Sequence, residues 1–158
     1  MTQVCAAKVP AITLVLLIAG CTPGGMSPPP GGSGGANVTT IDVNLTLHAS
    51  TQTPEGVSTG YAPAVTLIAV GTSVRFTNSD SFAHTATLIP GAASFPAASP
   101  FSATALTQSG STLSQPWSSG ALPAGSSSQT ILVNQPGTYL YGCFFHYSGT
   151  MRGIIVAQ

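Results

Sequence analysis

The chain has 158 residues, of which three are lysine or arginine, three aspartate or glutamate and three histidine, for a formal net charge of zero. That balance leaves no basic patch for nucleic acid, and no close carboxylate pair presents itself for acid–base hydrolysis. Low charge here is not a mark of disorder, because 43% of the residues are hydrophobic and β-branched residues abound.

Lys8 precedes an apolar run from Val9 to Ala19, followed by Gly20 and Cys21. The run is shorter than the about 18–20 apolar residues that a bilayer span needs. Its length and flanks suit the apolar part of a signal peptide. Leu17-Ile18-Ala19-Gly20-Cys21 resembles the lipobox of bacterial lipoproteins, in which the chain is cut before the cysteine and the cysteine takes the lipid. The resemblance implies a signal peptide at 1–20 and lipidation of Cys21. It also implies an exported protein held by its lipid to a bacterial membrane, on the periplasmic or cell-surface side. An ordinary secretory signal with an incidental Cys21 is the plainer alternative. Residues 22–37, TPGGMSPPPGGSGGAN, are dominated by Gly, Pro and Ser and cannot bury a core. Residues 21–37 are therefore expected to form a tether, with a root-mean-square span of about 20–25 Å. Residues 38–158 are then long enough for one domain with a single core.

The cysteine count narrows further. Cys5 would leave with the leader and Cys21 would become the anchor, so Cys143 remains as the only free thiol. Export places it in an oxidising compartment, where thiols normally pair. An unpartnered cysteine there is either buried and inert or held by a metal. The same mature chain carries Arg75 and Arg152 against Asp42, Glu55 and Asp80, so two minus three gives a net charge of −1.

In chain order, the first periodic element is IDVNLTL at 41–47, with Ile41, Val43, Leu45 and Leu47 on one face and Asp42, Asn44 and Thr46 on the other. That period of two predicts a half-buried strand. Strand-like runs follow at 64–70, 73–78, 84–89, 129–133, 138–144 and 152–157. Turn residues punctuate them at Gly71-Thr72, Asn78-Ser79-Asp80-Ser81 and Asn134-Gln135-Pro136-Gly137. The stretch 90–128 is rich in Ser, Ala, Pro and Gly; it is expected to be irregular, with one or two short strands and with Leu113 and Trp117 turned inward. Without a helical stripe, the pattern predicts an all-β fold, a Greek-key antiparallel β-sandwich or barrel of about seven to eight strands.

GCFFHYSGTMRG, residues 142–153, carries the chemistry. Cys143 closes one predicted strand, and His146 and Met151 lie in the turn before the next. Side chains three apart do not share a strand face, but a bend after Cys143 can bring thiolate, imidazole and thioether to one point. His84, after the strand and turn of VRFTNSDSFA, is the candidate for a fourth donor. Taken singly, His84 reads as a loop-end histidine and Met151 as core. Together, His84, Cys143, His146 and Met151 fit a trigonal copper site with a weak axial thioether. His48 reads as a solvated histidine. Phe82, Phe144, Phe145 and Tyr147 are packing residues or an apolar rim around His146, while Tyr139 and Tyr141 read as strand and core residues.

PGTYLYGCFFHYSGTM, residues 136–151, resembles the C-terminal ligand loop of the plastocyanin and pseudoazurin branch of the cupredoxins, and VRFTNSDSFAHTATL, residues 74–88, resembles their upstream ligand segment. The resemblance covers most of 38–158 and is weakest over 90–128. It implies the cupredoxin-type sandwich and one type 1 copper centre, Cu(I)/Cu(II), on His84, Cys143, His146 and Met151. It implies a single-electron carrier rather than an enzyme, exchanging electrons through the edge of His146. The expected partners are redox proteins, a cytochrome or a copper enzyme as donor and acceptor, docking on an apolar rim of Phe82, Phe145 and Tyr147, with the chain a monomer. A surface module that binds or buffers copper without electron transfer is the alternative; zinc could also occupy such a donor set. Three histidines cannot build an additional catalytic copper centre. The chain departs from the family pattern at Gly142, where many plastocyanins have Tyr, at Phe145, where they often have Pro, and at Thr85. There many have an Asn whose side chain ties the ligand loops, a role Thr85 must fill or leave empty.

Overall fold

The computed structural model describes residues 37–158. The expected signal peptide, Cys21 and the tether as far as residue 36 lie outside them.

Twelve strands are present among the described residues: β1 (Val38–Val43), β2 (Thr51–Thr53), β3 (Gly56–Ser58), β4 (Tyr61–Ala62), β5 (Val65–Ile68), β6 (Ser73–Asn78), β7 (Thr87–Ile89), β8 (Gln108–Ser109), β9 (Ser118–Ser119), β10 (Ile131–Leu132), β11 (Gly137–Gly142) and β12 (Arg152–Ala157). The only helical pieces among them are two single 3-10 turns, Ala103–Leu106 and Tyr147–Gly149. One sheet runs β10-β6-β1-β4, the other β5-β12-β11-β7-β9-β8, and β2-β3 form a separate hairpin.

Apolar side chains alternate inward from both sheets and meet in one core. Ile41 and Val43 of β1, Val74 and Phe76 of β6 and Ile131 of β10 come from the first sheet. Leu88 of β7, Tyr141 of β11 and Ile155 of β12 face them from the second. Aromatic rings bridge the layers edge to face, with Phe76 and Tyr61 at 5.1 and 4.8 Å from Tyr141. Gly153, opposite Tyr141 in the β11–β12 ladder, leaves the space this ring needs: a Cβ there would lie 2.4 Å from its atoms.

The all-β expectation is met, and two of its details are corrected. The strands number twelve rather than seven or eight, because several are only two or three residues long. The sheets are mixed rather than antiparallel, since β1–β6 and β5–β12 pair in parallel. After β4 the chain crosses to the second sheet as β5 and returns as β6 beside β1, and a crossover of that kind brings strands together in parallel.

Strands 73–78 and 152–157 have the predicted bounds, whereas 41–47 does not. β1 stops at Val43, and Leu47 is 72% exposed. The cause is Asn44: its Oδ1 accepts the N–H groups of Thr46 and Leu47 at 3.0 and 2.9 Å, a local turn that competes with the ladder. The run 84–89 is strand only from Thr87, 64–70 only over Val65–Ile68, and 129–133 only over Ile131–Leu132. The run 138–144 begins one residue earlier and ends at Gly142, so Cys143 lies just past the strand.

The stretch 90–128 is irregular apart from β8, β9 and a 3-10 turn, and Leu113 and Trp117 are buried in the core as expected. Trp117 stacks on Phe76 at 5.6 Å, so the excursion closes one side of the sandwich. Leu113→Ala should therefore cost about 2–5 kcal/mol, the range for truncating a fully buried leucine. Urea unfolding checks this; a loss well below 1 kcal/mol would show that the excursion is only loosely applied.

Candidate metal centre

The site forms at the end of the sandwich where β6 leads into one loop and β11 into another. Asn78, the last residue of β6, shapes the first loop. Its side-chain amide donates to the carbonyls of Phe82 and Leu122 at 2.9 and 2.8 Å, and its Oδ1 accepts the N–H of Asp80 at 2.9 Å. His84 follows in a two-way bridge with Leu122: its N–H donates to the Leu122 carbonyl at 3.1 Å and its carbonyl accepts from Leu122 at 2.7 Å. The far end of the 90–128 stretch thus clamps the backbone of His84.

The second loop closes on itself. The N–H of Cys143 donates to the Met151 carbonyl at 3.0 Å, and the His146 carbonyl accepts from Gly149 at 3.0 Å and from Met151 at 3.3 Å. The 3-10 turn Tyr147–Gly149 ends at Thr150, whose φ of +64° is uncommon for a residue with a Cβ. Its hydroxyl lies 2.8 Å from that of Thr59, a contact that helps hold this backbone.

These loops bring three of the four sequence-predicted donors together. Cys143 Sγ lies 3.8 Å from His84 Nδ1 and 3.6 Å from His146 Nδ1, and the three donor atoms all fall within 4.8 Å of one another. Thiolate and imidazole bonds of about 2.3 and 2.0–2.1 Å, splayed by 110–120°, hold sulfur and nitrogen about 3.5–3.8 Å apart. Both sulfur–nitrogen spacings match, so the donor set of Cys143, His84 and His146 fits a shared metal ion. His84 and Cys143 are fully buried, while His146 is partly exposed. Met151 is buried in the same apolar cluster as Cys143 and packs against Gly60, where a Cβ would approach its Cγ to 2.9 Å.

Burial pushes the Cys143 thiol above its ordinary range, against hydrogen bonds from backbone groups of Thr85, His146 and Phe145. Burial also lowers His146, as does the neighbouring His84, while Asp80 opposes them. The imidazole is thereby favoured in the neutral form, which has a lone pair for a metal.

Thr85 fills the tying role. Its N–H donates to Cys143 Sγ at 3.4 Å, and its Oγ1 accepts the N–H of Phe144 at 2.8 Å. The Tyr61 hydroxyl donates to the carbonyl of the same residue. Asp80 is the one site neighbour that sequence reasoning missed: it read as a turn residue, yet its carboxylate is buried 3.1 Å from His84 Nε2. The Asn-x-Asp spacing in a chain with three acidic residues was the only available signal.

Two of the three residues expected in the rim are exposed beside His146. Phe82 and Phe145 are 41% and 43% exposed, with ring centroids 5.4 and 6.1 Å from that of His146. Tyr147 is not a rim residue. It is buried, its hydroxyl donates to the Pro96 carbonyl at 2.9 Å, and Arg152 sits 4.1 Å over its ring. The 3-10 turn points it inward, into space that Gly142 leaves open: a Cβ at 142 would approach its ring to 2.9 Å. His48 is partly buried rather than simply solvated, with Nε2 2.7 Å from the Asp42 carboxylate.

No protein-family model matches the chain, and no curated protein matches it. Solved structures similar to it include a purple cupredoxin from Nitrosopumilus maritimus, 22% identical, with 75% of this chain and 98% of that one covered and a TM-score of 0.49. A reduced Cu(I) form of an amicyanin mutant is 17% identical, with 78% and 83% covered and a TM-score of 0.48. Oxidised plastocyanin from Dryopteris crassirhizoma is 19% identical, with 76% and 100% covered and a TM-score of 0.45. None of the three reaches a TM-score of 0.5, and the candidate centre stands on its donor geometry alone.

Thr85→Ala removes the acceptor for the buried side of the Phe144 N–H and should destabilise the metal-free protein by about 1–3 kcal/mol. Thr85→Ser keeps the oxygen and should recover most of that loss. Chemical denaturation of both variants decides it; equal losses would assign the effect to the methyl group.

Proposed function

We propose that this chain is a type 1 copper protein that shuttles single electrons between redox partners. The observation that carries the proposal is the convergence of one buried thiol and two imidazole Nδ1 atoms at metal-bridging distances. Thiolate with two imidazoles and a weak thioether is the donor set of blue-copper centres. Bound copper would supply a one-electron couple between Cu(I) and Cu(II).

The chain's own residues would do the rest. Cys143 would bind as thiolate, giving up the proton that burial favours, and His84 and His146 would bind through Nδ1. Met151 would supply the weak thioether as a fourth donor; its burial in the same apolar cluster as Cys143 supports this. The hydrogen bonds that close both loops resist rearrangement, which suits a site that must serve two oxidation states. Water is kept from His84 and Cys143 by burial, leaving the partly exposed His146 as the route for electrons.

Phe82 and Phe145 flank that histidine and would form the apolar rim for a cytochrome or copper enzyme acting as donor or acceptor. The resemblance of residues 17–21 to a lipobox supports lipid tethering at Cys21 to a bacterial membrane, on the periplasmic or cell-surface side, and the chain would act as a monomer. No catalytic role is assigned, because the site's two histidines leave only His48 for any further centre.

Adding Cu(II) to the purified chain, beside Cys143→Ser, tests this. An intense blue thiolate-to-copper band in the wild type and none in the variant is expected, with a reversible one-electron wave by voltammetry. Colourless binding that survives the substitution would overturn the ligand assignment, and a blue site that does not cycle would favour a copper buffer. With so few charged residues, long-range steering should contribute little. Electron-exchange rates with the natural partner should vary little with ionic strength; a steep fall as salt rises would contradict an apolar docking face.

A further inference from the structure

We propose that Asp80 is a positioning residue of this centre, holding His84 with Nδ1 free toward Cys143 and biasing a bound copper ion toward its oxidised state. The proposal rests on the copper assignment for the second effect, and on geometry alone for the first.

Asp80 Oδ2 lies 3.1 Å from His84 Nε2, and both side chains are out of solvent, 3% and 0% exposed. An ionised carboxylate only accepts hydrogen bonds, so the contact requires the proton on Nε2. In the neutral ring this leaves the lone pair on Nδ1, the nitrogen that faces Cys143 Sγ. Outer-shell carboxylates fix ring orientation and tautomer of metal-binding histidines in the same way.

The carboxylate itself cannot swing away. Oδ2 accepts the N–H of Leu45 at 2.9 Å and that of Thr46 at 3.4 Å, and Oδ1 accepts the N–H of Ser81 at 2.8 Å and the Thr46 hydroxyl at 3.3 Å. The turn after β1, whose residues Leu45 and Thr46 leave the ladder, thus serves as the mount for Asp80. Among the described residues no lysine or arginine pairs with this carboxylate; His84 is its only basic partner.

Charge accounting gives the direction of the bias. Thiolate and carboxylate together balance a divalent ion, so the buried assembly is neutral when oxidised and carries a net negative charge when reduced. A net charge in a buried setting is disfavoured. Asp80 therefore lowers the reduction potential. Asp80→Asn keeps an oxygen that can accept from His84 but removes the charge. It should raise the ratio of Cu(I) to Cu(II) affinity about tenfold, which for one electron is about 59 mV upward. Asp80→Glu, which keeps the charge, should stay nearer the wild type.

Voltammetry and the visible spectrum of the copper-loaded full chain test the bias, and nitrogen-15 NMR of the metal-free wild type at about pH 8, above the ordinary histidine range, tests the positioning. A retained blue band with a raised potential in Asp80→Asn supports the proposal; a retained band with an unchanged potential overturns the bias. A wild type without a blue band overturns the copper assignment separately, and with it the bias. In every case, including failure of the variants to fold, the wild-type NMR decides the positioning. An exchange-protected proton on His84 Nε2 supports it, and a proton on Nδ1 overturns it.

Discussion

The thiol of Cys143 lies where two loops, separated by 59 residues in sequence, are held together by hydrogen bonds through Thr85. The backbone N–H of Thr85 reaches the sulfur while its hydroxyl accepts from the residue after Cys143. One residue beside His84 therefore fixes both the direction of the thiol and the start of the second loop. Leu122 clamps His84 from the other side, and the Met151 carbonyl closes the loop back onto Cys143. The fold's own hydrogen bonds thus hold the Cys143 sulfur within 3.8 Å of both imidazole Nδ1 atoms.

The apolar character of the chain serves the same end. Tyr61, Phe76, Trp117 and Tyr141 fill the region beneath the site, and Tyr61 and Tyr141 are pushed well above their ordinary ionisation range by burial. No charge is introduced there except at Asp80, whose carboxyl burial alone would raise. Hydrogen bonds from Ser81, His84, Leu45 and Thr46 outweigh that effect and hold it below its usual range. The one buried carboxylate is thus an exception that the turn after β1 is built to accommodate.

Much of the centre was legible because its chemistry is written in residue identity and short spacing. Cys143, His146 and Met151 lie within nine positions, and a lone thiol in a chain expected to be exported limits the alternatives. His84 was legible from its place after a strand and a turn. The misses have a common cause, which is that local pattern does not encode which way a turn faces. Tyr147 sits between His146 and the turn Ser148-Gly149-Thr150, and only the 3-10 geometry sends it into the core. Asp80 looked like turn punctuation until the β1 turn was seen to donate into it. The parallel partnership of β1 and β6 is set by a crossover between sheets, which strand periodicity cannot report. Leu45 and Leu47 continue an alternation that Asn44 has already ended, because the competing turn is a side-chain effect.

The central claim is that the fold itself sets the sulfur and the two imidazole nitrogens around one point. A pair of crystal structures, metal-free and grown with cupric salt, tests it most directly. The account predicts a single copper ion bonded to Cys143 Sγ, His84 Nδ1 and His146 Nδ1, with those atoms in nearly the same places in both crystals. Copper bound elsewhere, or a metal-free form in which the two rings face apart and the sulfur points away from them, would contradict it.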